Sequence, residues 1–163
     1  MKSDAELIRL TLSQGSHYYG ILIGRYSDYV FGLCMRLTAG DRTLAEEISQ
    51  QAFLKAFLYL KRYDVARDFK NWLSGIVVNC FKDVARQEAK HSGATLEKGY
   101  AYEPDLEENR DFFRLIRNLS IDDRTIVTLR FVYDFTVDEI AEILGIKSGT
   151  IKSRISRSLE KMK

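Results

Sequence analysis

The stretch that decides the fold is Thr136-Val137-Asp138-Glu139-Ile140-Ala141-Glu142-Ile143-Leu144-Gly145-Ile146-Lys147-Ser148-Gly149-Thr150-Ile151-Lys152-Ser153-Arg154, which continues to Leu159. Its first half reads as a short helix from Thr136 to Leu144 with Ile140, Ile143 and Leu144 inward. Thr136 stands three residues before Glu139, the spacing at which hydroxyl and carboxylate each satisfy a free backbone N–H at a helix start. Gly145 supplies the left-handed conformation that ends a helix, Ile146 can plug the core beneath it, and Ser148 is the expected cap of the next helix. Two short helices about such a turn, the second rich in Lys, Arg and Ser, describe a helix-turn-helix.

On a helical wheel turning about 100° per residue, Ile151, Ile155 and Leu159 share the side expected to be buried. Ser153 and Arg157 fall nearly opposite, flanked by Thr150, Lys152, Arg154 and Ser156. From Lys147 to Lys163 the basic residues are Lys147, Lys152, Arg154, Arg157, Lys161 and Lys163, against the single acid Glu160. A face of that kind suits phosphate contact and base-edge reading in a major groove. A solvated basic helix has the same composition, and the glycine turn before it favours DNA.

The rest of the chain is also helical in pattern. Tyr18, Ile21, Leu22, Tyr26, Tyr29, Val30, Leu33 and Leu37 recur at steps of three and four. Thr43-Leu44-Ala45-Glu46 has the form of a capping box, and the helix it opens is expected to reach about Leu60. Polar residues from Lys61 to Asp68 interrupt the pattern. Phe69, Trp72, Leu73, Ile76, Val77, Cys80, Phe81 and Val84 then form an amphipathic stripe. Periodicity stops between Gln87 and about Asp105, where Ser92-Gly93, Gly99, Pro104 and the acids Glu103, Asp105, Glu107 and Glu108 indicate a linker. A further helix start stands at Ser120-Ile121-Asp122-Asp123. The expected fold is all-α: two small helical domains joined by a flexible linker, the C-terminal one a helix-turn-helix.

Composition narrows the function. Among 163 residues, 45% are hydrophobic and 29% charged, a balance that supports a packed core. No apolar run approaches the roughly 18 residues of a membrane span, and the acidic, amphipathic start is unlike a secretory signal. Two cysteines, Cys34 and Cys80, and two histidines, His17 and His91, lack ligand spacing, so no metal is expected; the cysteines read as core and the histidines as surface. No phosphate-cradling glycine loop or nucleophile elbow is present, so no catalytic residues and no cofactor are expected. A net charge of +2 says little of nucleic acid by itself.

Two faces of the N-terminal block exceed the needs of packing. On the helix from Thr43 to Leu60, Ile48, Ala52, Phe53, Ala56 and Leu60 take the inward side. Glu47, Gln50, Gln51, Leu54 and Leu58 lie outward, and leucines among acids and amides suggest a protein partner unless another helix covers them. On the next helix Trp72, Gly75, Asn79, Lys82 and Arg86 line one flank: an aromatic plane, a small residue permitting close approach, an amide and two cations. The loop Lys61-Arg62-Tyr63-Asp64-Val65-Ala66-Arg67 precedes it. Aromatics interleaved with bases suit unstacked single-stranded DNA, although Trp72 reads first as a structural residue.

The run Ala45 to Phe57, then Phe69-Lys70-Asn71-Trp72-Leu73 with Asn79, Asp83 and Arg86, resembles the promoter-melting domain of bacterial sigma factors of the sigma-70 family, in particular the extracytoplasmic-function (ECF) group. Leu119 to Lys163, with Asp138-Glu139-Ile140-Ala141 and Gly149-Thr150-Ile151-Lys152-Ser153-Arg154, resembles that group's domain for the −35 element. The resemblance implies a region 2 domain over 1–88, a linker over 89–108 and a region 4 domain over 109–163. It implies a cytoplasmic initiation factor that binds core RNA polymerase, directs it to promoter DNA and helps open the −10 element. Glu47, Gln50, Gln51, Leu54 and Leu58 would meet the polymerase. Tyr63, Trp72, Asn79, Lys82 and Arg86 would meet the −10 strand, and Thr150, Lys152, Ser153, Arg154, Ser156 and Arg157 the −35 duplex. Such factors are often restrained by an anti-sigma factor.

Three positions depart from the family pattern. Gln51 stands where an acid is common, Lys152 where arginine is frequent, and Ser156 where some relatives are bulkier. Lysine cannot make arginine's bidentate fork to guanine, which changes the base preference to be expected. The alternatives are a stand-alone helix-turn-helix regulator, dimeric and independent of polymerase, and a protein-binding adaptor whose basic helix is incidental.

Overall fold

The computed structural model describes residues 1–92 and 107–163, with side chains described outside 91–109. Among these residues every regular element is helical. The first block comprises α1 (Asp4–Gln14), α2 (His17–Leu37), α3 (Arg42–Tyr59), a single 3₁₀ turn (Leu60–Arg62) and α4 (Phe69–Ser92). The second comprises α5 (Glu107–Ile116), α6 (Ile121–Val127), which runs into a π-helical turn (Thr128–Val132), α7 (Val137–Leu144) and α8 (Ser148–Lys161).

Leu33, Cys34 and Leu37 of α2, Ile48, Ala52 and Ala56 of α3, and Leu73, Val77, Cys80 and Phe81 of α4 are fully buried together. Each large aliphatic or aromatic side chain so buried contributes about 1.5–3 kcal/mol. The cysteines are core residues, as their apolar neighbours suggest; burial pushes the Cys34 thiol up to about 12. His17 is exposed, and His91 lies outside the described side chains. Ile21 stays 42% exposed although it keeps the periodicity of α2.

Several boundaries differ from the sequence expectations. The cap of α3 is Asp41, whose carboxylate accepts from the Leu44 N–H at 3.2 Å; Thr43 is already helical. The chain enters this cap through Ala39 and Gly40, both at positive φ, and that entry hands the capping position to Asp41. The helix α4 runs past Gln87 to Ser92, so loss of apolar periodicity there marks loss of packing, not of helix. The acids Glu103 and Asp105 and Pro104 of the expected linker lie outside the described residues.

In the second block Ser120 accepts from the Asp123 N–H, and Thr136 with Glu139 forms the expected reciprocal capping box. Gly145 closes α7 at φ 68°, the left-handed value. Ser148 does not cap α8. It is the first helical residue, and its hydroxyl donates to Asp138 at 2.6 Å, which ties the two helices of the motif. Nor is Leu159 inward: it is 42% exposed, and Ser158 is buried beside Ile151 instead. The wheel is offset at its C-terminal end because α8 is seated on both α6 and α7.

The two blocks are packed together. Ile126, Leu129, Phe135, Ile140 and Ile151 continue the apolar core of α2, α3 and α4. Arg124 of α6, only 2% exposed, donates to the Ile116 and Arg117 carbonyls at the end of α5 and to the Leu37 carbonyl at the end of α2. Carbonyls at helix C-termini lack intrahelical donors and carry partial negative charge, so one buried guanidinium satisfies helix ends from both blocks. Tyr133 adds a second tie: its hydroxyl accepts from Arg36 at 2.9 Å, and its ring meets Tyr29 edge-on.

Candidate functional site

Three surfaces carry the residues singled out by sequence. The outer face of α3 is bare. Leu54 is 60% and Leu58 65% exposed, Glu47 and Gln50 are exposed, and Gln51 reaches back to Glu47. Beside Leu54 an apolar groove is lined by Tyr19 and Ile23 of α2 with Phe53 and Phe57 of α3. Phe53 is therefore half-buried at the groove wall, not a core residue. Phe57, 40% exposed, was not singled out by the sequence reading, though its place three residues after Leu54 puts it on the same side.

The flank of α4 is different. Trp72, Gly75 and Asn79 line a cleft of about 420 Å³ whose far wall is α7, through Glu139, Glu142 and Ile143. The Asn71 amide donates to the Glu139 carboxylate, and Arg67 pairs with Glu142. The backbone hydrogen bond from Thr136, together with that amide, holds the Glu139 carboxyl below the ordinary carboxylate range. One turn beyond Asn79, Lys82 is paired with Asp122 of α6 at 3.2 Å. Arg86 does not join this group; it is exposed, faces Asp83 at 3.8 Å and shares a depression with Gln51 and Lys55. A side chain at Gly75 would meet nothing within 4 Å, so this glycine permits no close approach in the present arrangement.

Tyr63 and Trp72 belong to one aromatic cluster. The Tyr63 ring lies 5.0 Å from Trp72 and 5.5 Å from Phe69, and its hydroxyl donates to the Arg67 carbonyl, which braces the loop. Trp72 is half-buried against the core, in keeping with its structural reading, with one edge left on the cleft.

The third surface is α8. Thr150, Lys152, Ser153, Ser156 and Arg157 are exposed on it. Arg154 is held apart from them, with its guanidinium 3.2 Å from Asp123 and 3.9 Å from Asp122 on α6. Sequence spacing placed Arg154 on the basic face; the acids that hold it are some thirty positions earlier and gave no local signal.

Comparison with known proteins agrees with this anatomy. Residues 22–91 match the family model of sigma-70 region 2, and residues 110–162 match that of sigma-70 region 4. The chain is 29% identical over 160 residues to the ECF RNA polymerase sigma factor SigW of Bacillus subtilis, covering 87% of this chain and 85% of that protein. It is 30% identical over 177 residues to the ECF RNA polymerase sigma-E factor of Escherichia coli, covering 97% and 91%. Its fold is similar to that of the sigma factor RpoE of Bartonella quintana, solved in complex with the anti-sigma factor NepR: TM-score 0.76, 23% identity, 88% of this chain and 93% of that one. No helix among the described residues is long and apolar enough to cross a membrane. With regions 2 and 4 in order and both helical blocks accounted for, this chain belongs to the extracytoplasmic-function group of RNA polymerase sigma factors.

Proposed function

We propose that this sigma factor docks on core RNA polymerase through the outer face of α3, traps an unstacked −10 base along the flank of α4, and reads the −35 duplex with α8. The observation that carries the reading is one chain presenting both a bare leucine face, Leu54 and Leu58, and a separate basic helix behind a left-handed glycine turn. Glu47, Gln50 and Gln51 form the polar rim of the polymerase face. Asn79 and Tyr63 hold the extruded base, and Lys82 and Arg86 meet its phosphates. Thr150, Lys152, Ser153, Ser156 and Arg157 enter the major groove, and Arg154 joins them once released from Asp123.

The protein performs no covalent chemistry. Thermal breathing exposes a base, and pocket contacts offset the few kcal/mol that extrusion costs. With a net charge of only +2, the free chain holds duplex weakly; polymerase places both blocks at once, and effective concentration multiplies two weak contacts. The factor works where polymerase works, in the cytoplasm. The complex of the Bartonella relative with NepR supports an anti-sigma partner for this chain too.

Run-off transcription with core polymerase on a promoter library tests the reading. Selective start sites appear only when the chain is added. Tight operator binding by a dimer without polymerase would overturn it in favour of a stand-alone regulator.

A further inference from the structure

The helix α1 lies ahead of the stretch that matches region 2, yet it is built into the same core. Its residues Leu7, Ile8 and Thr11 are buried, and it touches α2 and the 3₁₀ turn that leads into the loop of Tyr63. Asp4, in its first turn, serves two groups of α2. One carboxylate oxygen accepts from the Arg25 guanidinium at 2.6 Å, and the other accepts from the Tyr26 hydroxyl. Arg25 also donates to the Lys2 carbonyl at 2.7 Å, which fastens the chain just before the helix. The Tyr26 ring meets Phe69 edge-on at 5.2 Å, Phe69 meets Tyr63 edge-on at 5.5 Å, and Tyr63 lies 5.0 Å from Trp72. Contacts therefore run unbroken from Asp4 to the loop tyrosine. Phe69, in the middle, is only 5% exposed, and a close-packed ring leaves its neighbours little room to turn. Burial, and after it the Asp68 and Asp4 carboxylates, push the Tyr63 phenol above its ordinary value, so the acid of α1 acts on the loop through space as well.

We propose that Asp4 and Tyr26 are positioning residues for −10 recognition: the Asp4 carboxylate fixes the Tyr26 phenol, and through Phe69 the two hold Tyr63 in the orientation that receives the extruded base. This rests on the placing of Tyr63 under Proposed function. The hydrogen bond of the Tyr63 hydroxyl, to the Arg67 carbonyl, stays within the loop and cannot orient the loop on the rest of the fold. A loop held only by itself loses conformational freedom when the base arrives. One already oriented from α1 and α2 loses less, and the difference is expressed as affinity for the correct base. Neither Asp4 nor Tyr26 needs to touch DNA for this; both act through the Tyr63 ring.

The test uses holoenzyme assembled from core polymerase and the full chain, on a promoter recovered from the library. Tyr26→Phe keeps the ring and removes the hydroxyl, and Asp4→Asn removes the charge. Glu6→Gln, at an exposed acid of the same helix turn, is the control. Tyr26→Phe and Asp4→Asn should each lower open-complex formation about 5- to 10-fold and flatten the base preference at the extruded −10 position. Glu6→Gln should do neither, and capture by core polymerase and the −35 preference should be unchanged throughout. Trp72 is the chain's one tryptophan and lies beside Tyr63, so its acrylamide quenching in the free chain should rise in both variants. In a Tyr63→Ala background neither substitution should add a further loss, because both act through that ring. Unaltered open-complex formation and base preference in Tyr26→Phe and Asp4→Asn, with Tyr63→Ala impaired, would overturn the positioning role and leave the loop assignment standing. So would a loss that adds to that of Tyr63→Ala, or one that follows thermal stability with base preference intact. An unimpaired Tyr63→Ala would instead sink the placing of Tyr63 itself, and the positioning role with it.

Discussion

The outer face of α3 and the flank of α4 are written in the same code. Each is a set of residues at steps of three and four on a long helix of the first block, and each mixes polar groups with a large apolar or aromatic one. In the structure they part company: Leu54 and Leu58 stand in solvent, while Trp72 and Asn79 face α7 across a cleft. Residue spacing determines which side chains share a face. What covers that face is settled by segments far away in the chain, here Tyr133 to Ile143.

The largest expected effect breaks the comparison on its open side. Leu54→Glu places a charge at the centre of the α3 face and is expected to weaken capture by core polymerase about 30-fold or more, as a central hot spot of about 2 kcal/mol requires. Helix content by circular dichroism should be unchanged, because the side chain is 60% exposed. Normal co-purification of that variant with core enzyme would refute the assignment of this face.

The next effect acts where the blocks meet. Arg124→Met leaves three carbonyls, of Ile116, Arg117 and Leu37, without this donor. Stability by urea unfolding should fall by about 3 kcal/mol, the scale for breaking a buried charged network. A loss below half of that would mean that the guanidinium holds neither helix end firmly.

On α8 the contrast between free and tethered side chains can be sharpened. Arg157→Ala and Lys152→Ala should each lower −35-dependent transcription by about 5- to 30-fold, equivalent to about 1–2 kcal/mol of groove contact. Arg154→Ala should do so less and should lower thermal stability as well, since Arg154 is tied to Asp123. Unchanged promoter-dependent transcription in the first two variants would favour the adaptor.

Smaller effects test the covering helix. Thr136→Ala removes the cap of α7 and should cost about 1 kcal/mol by urea unfolding. Glu139 is held below its ordinary value of 4.5, so its contribution is present above that value and lost as pH falls through the lower folded-state value. Urea midpoints taken at descending pH should show this acid limb, and Glu139→Gln should flatten it. An unaltered limb would mean that the Thr136 and Asn71 contacts are not kept in solution.

Much of the fold was legible because its signals are local. The Thr136–Glu139 capping box, the left-handed Gly145 and the Ser120 cap each need only three or four neighbouring residues, and all are present. The capping box at Thr43 failed because the positive-φ entry through Ala39 and Gly40 moved the cap to Asp41. Leu159 and Ser158 exchanged roles because a wheel assumes one buried direction, whereas α8 meets two helices. Of the candidate site cations, Lys82 and Arg154 are held by acids of α6, Asp122 and Asp123, far away in the chain, whereas Arg86 faces Asp83 of its own helix. Helix phase brings Arg86 to Asp83, three residues earlier, but it cannot foretell the acids that hold Lys82 and Arg154 from another helix.

The sequence by itself determined that this chain is helical throughout its periodic segments, that it ends in a helix-turn-helix, and which residues share each helix face. Backbone hydrogen bonds, caps and side-chain periodicity are set within about a turn of helix. Only the tertiary structure decided that Arg124 joins the two blocks, that Tyr133 sits over Gly32 and that α7 walls the cleft along α4. Those contacts lie between residues up to 101 positions apart (Gly32 and Tyr133), and no local pattern encodes which of several apolar and charged surfaces will meet.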